Sequence, residues 1–124
     1  MKTIFSLNLR TRNPLNLREC WQVKHSRAKL HRRVAWLCLA PPLYSWRSGP
    51  LGGQPLIVTL TRVAPRQLDS DGLICSLKAV RDGVADALGR DDSQKSGIEW
   101  KYAQRRGARR EYSVEIVIDT SRGM

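Results

Sequence analysis

Apolar and polar residues alternate in four stretches of the chain, and each alternation predicts a β-strand. The first covers residues 3–9, where Phe5, Leu7 and Leu9 share one face, and Asn13-Pro14 breaks the pattern. The other three cover residues 56–63, 98–102 and 112–118. In residues 56–63 both faces carry apolar side chains or threonine, so we predict that this strand is buried on both sides.

Two other stretches have the period of an α-helix. The clearer one runs from about residue 72 to residue 88 and ends at Gly89, a typical helix stop. Its apolar stripe repeats at i, i+4, i+7, i+11 and i+15 and consists of Leu73, Leu77, Val80, Val84 and Leu88. The spacing therefore predicts a helix with one buried face.

The earlier helix begins at a capping pair, Asn16 and Glu19, and we predict that it ends near Pro41-Pro42. Its apolar positions fall within about 40° of one another on a helical wheel; they are Leu17, Trp21, Ala28, Ala35 and Leu39. The remaining surface is rich in arginine and lysine. Residues 41–55 are rich in Pro, Gly and Ser, which predicts a loop.

The predicted elements follow the order β-α-β-α-β-β, which is typical of an α+β fold with a small mixed sheet and two helices. A length of 124 residues favours one domain over residues 1–124. Residues 104–110, between the last two strands, contain four arginines around Gly107. We predict a β-hairpin with a cationic tip there.

Composition narrows the class of partner. The net charge of +11 and the pI near 10.5 favour a polyanion, with nucleic acid first and an anionic membrane surface second. No stretch approaches the roughly 18 apolar residues of a membrane span, and the start does not have the pattern of a signal peptide. Three cysteines without paired spacing argue against a disulfide framework and a zinc site; they are Cys20, Cys38 and Cys75. A cytoplasmic protein is expected.

The acidic residues are unevenly distributed, because Glu19 is the only acid before Asp69 and six aspartates then occur between residues 69 and 92. One interpretation is local: aspartates cap helices and form turns, and Lys78 and Asp82 make an i,i+4 pair on a solvated face. The other is a metal site, in which Asp69 and Asp71 converge on one divalent cation. A third acid would then come from Asp91-Asp92, provided that the following strand folds back beside the helix entry.

The ordered set of motifs resembles the RusA-like Holliday junction resolvases, phage-type crossover junction endodeoxyribonucleases. The resemblance covers roughly residues 56–118 and is carried by Asp69-Ser70-Asp71-Gly72, Lys78-Ala79-Val80-Arg81-Asp82, Asp91-Asp92 and the strands around Trp100 and Val114. Two features depart from the family pattern. Gly72 stands where the family has Asn, and the gap from Asp71 to Lys78 is about one helical turn longer.

The resemblance implies a RusA-like fold and a homodimeric, Mg²⁺-dependent endonuclease, with Mn²⁺ as an alternative ion, which nicks paired strands of four-way junctions in phage or prophage recombination or repair. It implies metal ligands at Asp69, Asp71 and Asp92, with Asp91 beside the last, and an essential Lys78. We predict DNA contacts by Arg105, Arg106, Arg109, Arg110, Lys101, Arg27 and Arg32. The alternatives are a non-catalytic nucleic-acid-binding protein on the same fold, and a structural or ribosome-associated basic protein.

Overall fold

The computed structural model describes residues 2–11, 21–48, 55–89 and 97–120. Its elements are β1 (Lys2–Leu7), α1 (Trp21–Ser48), β2 (Leu56–Ala64), α2 (Ser70–Leu88), β3 (Ile98–Arg106) and β4 (Ser113–Thr120). The predicted order β-α-β-α-β-β is therefore confirmed. The described part of the chain is an α+β fold with a mixed four-stranded sheet and two helices.

The strands lie in the order β1-β4-β2-β3, in which β2 and β3 are parallel and the other neighbours are antiparallel. The predicted hairpin of the last two strands is wrong, because β2 lies between β3 and β4. The connection from β3 to β4, residues 107–112, passes the carboxyl end of β2, where the Gly107 N–H donates to the Ala64 carbonyl at 2.9 Å. The apolar β2 takes a central position, and β3, which carries several exposed charged side chains, forms the edge.

The core lies between the two helices and one face of the sheet. Its fully buried members include Val58, Leu60, Ile116 and Ile118 from the strands, and Leu77, Val80, Val84, Ala35 and Leu39 from the helices. The opposite face is only half-buried at Ile57, Thr59 and Val117, and Ile4 is 63% exposed there. The prediction that β2 is buried on both faces therefore holds fully for one face only.

The first helix differs from its prediction at both ends. Its proposed start at Asn16 lies outside the described residues, and it continues through Pro41-Pro42 to Ser48, so the predicted loop is wrong over residues 41–48. Each proline removes one N–H, which in a regular helix would donate to the carbonyl four residues earlier. Those carbonyls belong to Leu37 and Cys38, both exposed, so water can replace the missing donors.

The buried face of α1 is narrower than its apolar stripe suggests. Ala35 and Leu39 are buried, but Ala28 is exposed and His31 takes part in the buried face instead. Burial lowers the pKa of His31, and the charge of Arg27 lowers it further, so the ring packs in its neutral form at pH 7. No helix in the described part of the chain has the length and apolar character needed to span a membrane.

Candidate functional site

The entry to α2 contains the two aspartates that the sequence singles out. Asp69 is the N-cap, and its Oδ1 accepts the Gly72 N–H at 2.7 Å. Asp71 lies in the first turn, and both aspartates are exposed. The capping interpretation is thus confirmed for Asp69. The cap uses one carboxylate oxygen, and an ionised carboxylate has two oxygens with about four acceptor sites, so capping and metal binding are compatible.

These aspartates share an edge of the sheet with predicted DNA-binding arginines. Because β2 and β3 are parallel, their carboxyl ends lie at the same edge. Residues 65–69 leave this edge toward α2, and the connection 107–112 leaves it toward β4. Arg106 ends β3, and Arg109 and Arg110 are exposed in the connection. The Arg110 backbone adopts φ 63°, which is uncommon for a residue other than glycine.

Arg10 adds a further cation that the sequence did not single out. It follows β1, whose carboxyl end lies at the same edge, and its guanidinium stacks 4.3 Å from the ring centroid of Tyr112. The carboxyl edge of the sheet therefore combines two exposed carboxylates with Arg10, Arg106, Arg109 and Arg110. We call this set the carboxyl-edge site.

Two predicted DNA-binding residues lie elsewhere. Lys101 and Arg105 alternate with the core-facing residues of β3 and so occupy the open face of the sheet. Lys101 lies 4.0 Å from Glu99, and the Arg105 guanidinium is ion-paired with Glu115. The structure does not bring these two side chains together with the aspartates.

Two side chains that sequence reasoning missed hold the segment before Asp69. The buried Arg62 donates to the Arg66 carbonyl at 2.7 Å and to the Thr11 hydroxyl at 3.2 Å. Burial lowers its pKa, although an arginine remains protonated at neutral pH. Gln104 makes two bonds to one residue: the Leu68 N–H donates to its Oε1 at 3.0 Å, and its Nε2 donates to the Leu68 carbonyl at 2.7 Å.

Replacing Gln104 with leucine is expected to lower the free energy of unfolding by about 1–3 kcal/mol, because it leaves the Leu68 N–H and carbonyl without these partners. Amide exchange at Leu68 should accelerate as the segment before Asp69 loosens. Denaturant titration and hydrogen exchange measure the two effects. Gln22→Leu, at an exposed position of α1, is the matched control, and equal effects of the two substitutions would contradict the positioning role of Gln104.

A second cationic surface lies between α1 and α2, and it contains Lys78. This groove of about 400 Å³ is lined by Lys24, His25, Ala28, Lys29, Arg32, Cys75, Lys78, Ala79 and Asp82. Lys78 lies about 10 Å further along the axis than Asp71, at 1.5 Å per residue. The structure thus groups Lys78 with the cations of α1. We call this surface the interhelical groove.

The two predicted DNA contacts on α1 differ in their surroundings. Arg32 lines the interhelical groove and also forms a two-pronged ion pair with Asp86, at 2.7 Å and 2.9 Å. Arg27 is half-buried and contributes to the lowered pKa of His31. Both arginines therefore add positive charge to α1, and Arg32 also ties α1 to α2.

Asp91 and Asp92 lie outside the described residues, but the structure fixes the end of the helix that precedes them. Asp69 and Gly89 cap opposite ends of α2, about 30 Å apart at 1.5 Å per residue. The three residues from Gly89 to position 92 reach at most about 11 Å. β3 also begins at that far end, where the Leu56 N–H donates to the Gly97 carbonyl at 2.9 Å. Three residues therefore span much less than the length of α2.

Comparisons with known proteins do not assign the chain to a family. No family model and no curated protein matches it. Among solved structures, it is similar to a crystal structure of thiamine-monophosphate kinase from Stenotrophomonas maltophilia, with a TM-score of 0.43 and 16% identity over 95% of this chain. This chain spans only 29% of that protein. At this level, the similarity indicates neither a family nor an activity.

Proposed function

We propose that this protein is a metal-dependent endonuclease that cleaves branched DNA, with the four-way junction as its main substrate. The observation that carries the proposal is the carboxyl-edge site, where two exposed aspartates and four arginines share one edge of the sheet. In a chain of net charge +11, exposed carboxylates at the same sheet edge as several arginines are suited to a metal ion that meets a phosphodiester. The arginines would bind the neighbouring phosphates.

The donor set fits a hard divalent cation. Mg²⁺ is usually bound through one or two carboxylates, with waters and substrate phosphates completing its octahedron. Asp69 and Asp71 would supply those carboxylates, and Mn²⁺ takes the same ligands. When bound, such an ion activates a water nucleophile and stabilises charge on the phosphoryl oxygens. Gln104 and Arg62 would hold the segment that presents the two aspartates.

A homodimer completes this proposal. Because three residues beyond Gly89 span much less than the length of α2, we assign the third carboxylate to Asp92 of a second copy, with Asp91 beside it. A two-fold dimer then holds two equivalent composite sites. A four-way junction has approximate two-fold symmetry of its own, so such a dimer would place one site on each of two symmetry-related strands.

A second candidate is a non-catalytic nucleic-acid-binding protein on the same fold. One finding favours it. Within residues 2–11, 21–48, 55–89 and 97–120, the structure contains no group of three Asp, Glu, His or Cys side chains that could hold a metal ion. In this alternative, Asp69 serves only as a helix cap, and the arginines of the carboxyl edge bind phosphates without cleavage.

The distinguishing experiment uses a labelled four-way junction with and without Mg²⁺. We expect wild-type protein to cleave only with the metal, and Asp71→Asn to bind the junction while losing cleavage by several orders of magnitude. Glu99→Gln, which removes an exposed carboxylate from the open face of the sheet, is the matched control and should cleave like wild type. Binding without cleavage in both Mg²⁺ and Mn²⁺ would select the second candidate. Absence of binding at low salt would contradict both.

A further inference from the structure

An aromatic surface on α1 has no role in the carboxyl-edge site. Trp36 is 42% exposed and Leu30 is 57% exposed. Together they form the apolar part of a broad groove of about 830 Å³, lined by His25, Lys29, Leu30, Arg32, Arg33, Trp36 and Asp86. The groove therefore places an exposed indole among several basic side chains.

Helical spacing explains how the indole and the cations come together. Lys29, Arg33 and Trp36 lie at i, i+4 and i+7 of α1 and so share one face. The wall nearest α2 is formed by Arg32 and Asp86, whose two-pronged ion pair fixes the Arg32 guanidinium. Three of the lining residues, His25, Lys29 and Arg32, also line the interhelical groove. The two surfaces are therefore continuous, and a cationic path joins Lys78 to Trp36.

The chemistry of the groove matches a nucleotide. An exposed indole offers a flat apolar face on which a nucleobase can stack, and the surrounding Lys29 and Arg33 can meet the phosphates on either side of that base. In a base-paired duplex the base faces are already stacked on one another, so the ligand must present an unpaired base. We propose that Trp36 is a stacking platform for an unpaired nucleotide of single-stranded or branched nucleic acid, flanked by Lys29 and Arg33. The proposal rests on the nucleic-acid partner of the proposed function.

The charge of α1 favours a nucleic acid over a second copy of the helix as the ligand of this groove. The α1 sequence contains six lysines and arginines and no aspartate or glutamate. Packing this face against the same face of another copy would oppose like charges, which disfavours a homotypic contact. A polyanion is complementary to every charged side chain that α1 contributes to the groove.

The test measures the affinity of a labelled oligothymidine strand as a function of salt, for wild type and three variants. Trp36→Ala should weaken binding about 5- to 150-fold, the range expected for loss of one stacked base, whereas Trp36→Phe should retain most of the affinity. The slope of log K against log salt should stay unchanged in both, because stacking releases no counterions. Lys29→Ala should instead reduce that slope by about 0.7.

The controls separate failure of this inference from failure of the proposed function. Leu37→Ala removes a side chain that is 50% exposed on the same helix, and it should bind like wild type. If Trp36→Ala also binds like wild type, the stacking platform is overturned while nucleic-acid binding stands. If wild-type protein binds neither oligothymidine nor the junction, the proposed function fails as well. If Trp36→Ala turns a dimer into a monomer in sedimentation, the groove is a self-interface and the inference is overturned.

Discussion

Mixing two inactive variants, Asp71→Asn and Asp92→Asn, is expected to restore nicking of a four-way junction. In a composite dimer, one site combines Asp71 of one chain with Asp92 of the other. A mixed dimer therefore places both substitutions in one site and leaves the second site with native carboxylates. Each variant alone has a damaged ligand in both sites, so its cleavage should fall by several orders of magnitude.

The products of the mixture report how many sites are intact. Random exchange of subunits makes roughly half of the dimers mixed, and each mixed dimer has one working site. We expect single nicks at up to about half the wild-type rate per mixed dimer, which is about a quarter of the wild-type rate per total dimer, without the paired nicks that resolve the junction. A labelled junction on a denaturing gel shows the nick, and a native gel shows whether the junction is resolved.

The matched control mixes Asp71→Asn with Asp69→Asn. Both residues belong to the entry of α2, so each chain contributes a damaged entry and no dimer contains a native site. This mixture should remain inactive. Rescue in both mixtures would contradict the assignment of Asp92 to the opposite chain. Inactivity of both mixtures, with dimer exchange verified, would contradict the composite site itself.

The sequence predicts best those features that depend on local chemistry. The α2 helix was predicted within two residues because its apolar stripe, its N-cap at Asp69 and its stop at Gly89 are all encoded within the element. The order of elements follows from periodicity in the same way. The separation of β3 from β4 could not be read from periodicity, because strand pairing is a contact between distant segments and alternation carries no information about neighbours.

The part of the candidate site that the sequence predicts also depends on local chemistry. Asp69 and Asp71 were found because they stand at a helix start in a chain with few acids. Gln104 was missed because its role consists of two bonds to the backbone N–H and carbonyl of Leu68, 36 residues away, and backbone groups leave no trace in a sequence. The length of α2 can be read from the sequence. Only the structure shows that β3 begins at the edge of the sheet opposite the carboxyl-edge site.

Gly83, where α2 packs tightly against α1, gives the second large expected effect: Gly83→Ala should lower stability. A Cβ atom at Gly83 would lie 2.3 Å from the Arg32 carbonyl oxygen and 2.7 Å from the Ala35 Cβ. The carbonyl is part of the α1 backbone and cannot rotate away, so the helices must separate. Alanine has the higher helix propensity by about 1 kcal/mol, but overpacking costs about 1–3 kcal/mol or more. Because both contacts are well below van der Waals distance, we expect a net loss of about 2 kcal/mol.

Gly107→Ala is the matched control, since it adds the same methyl group at another crowded position. There the nearest atoms are Glu111 Oε1 at 2.8 Å and Val63 Cγ1 at 3.0 Å, which belong to side chains that can move. We expect a loss below about 1 kcal/mol for this variant, because the strain relaxes through side-chain rotation. Urea denaturation of both variants measures the difference. Equal stability of the two would contradict a backbone contact at Gly83, and with it the close helix packing that brings Lys78 to the cations of α1.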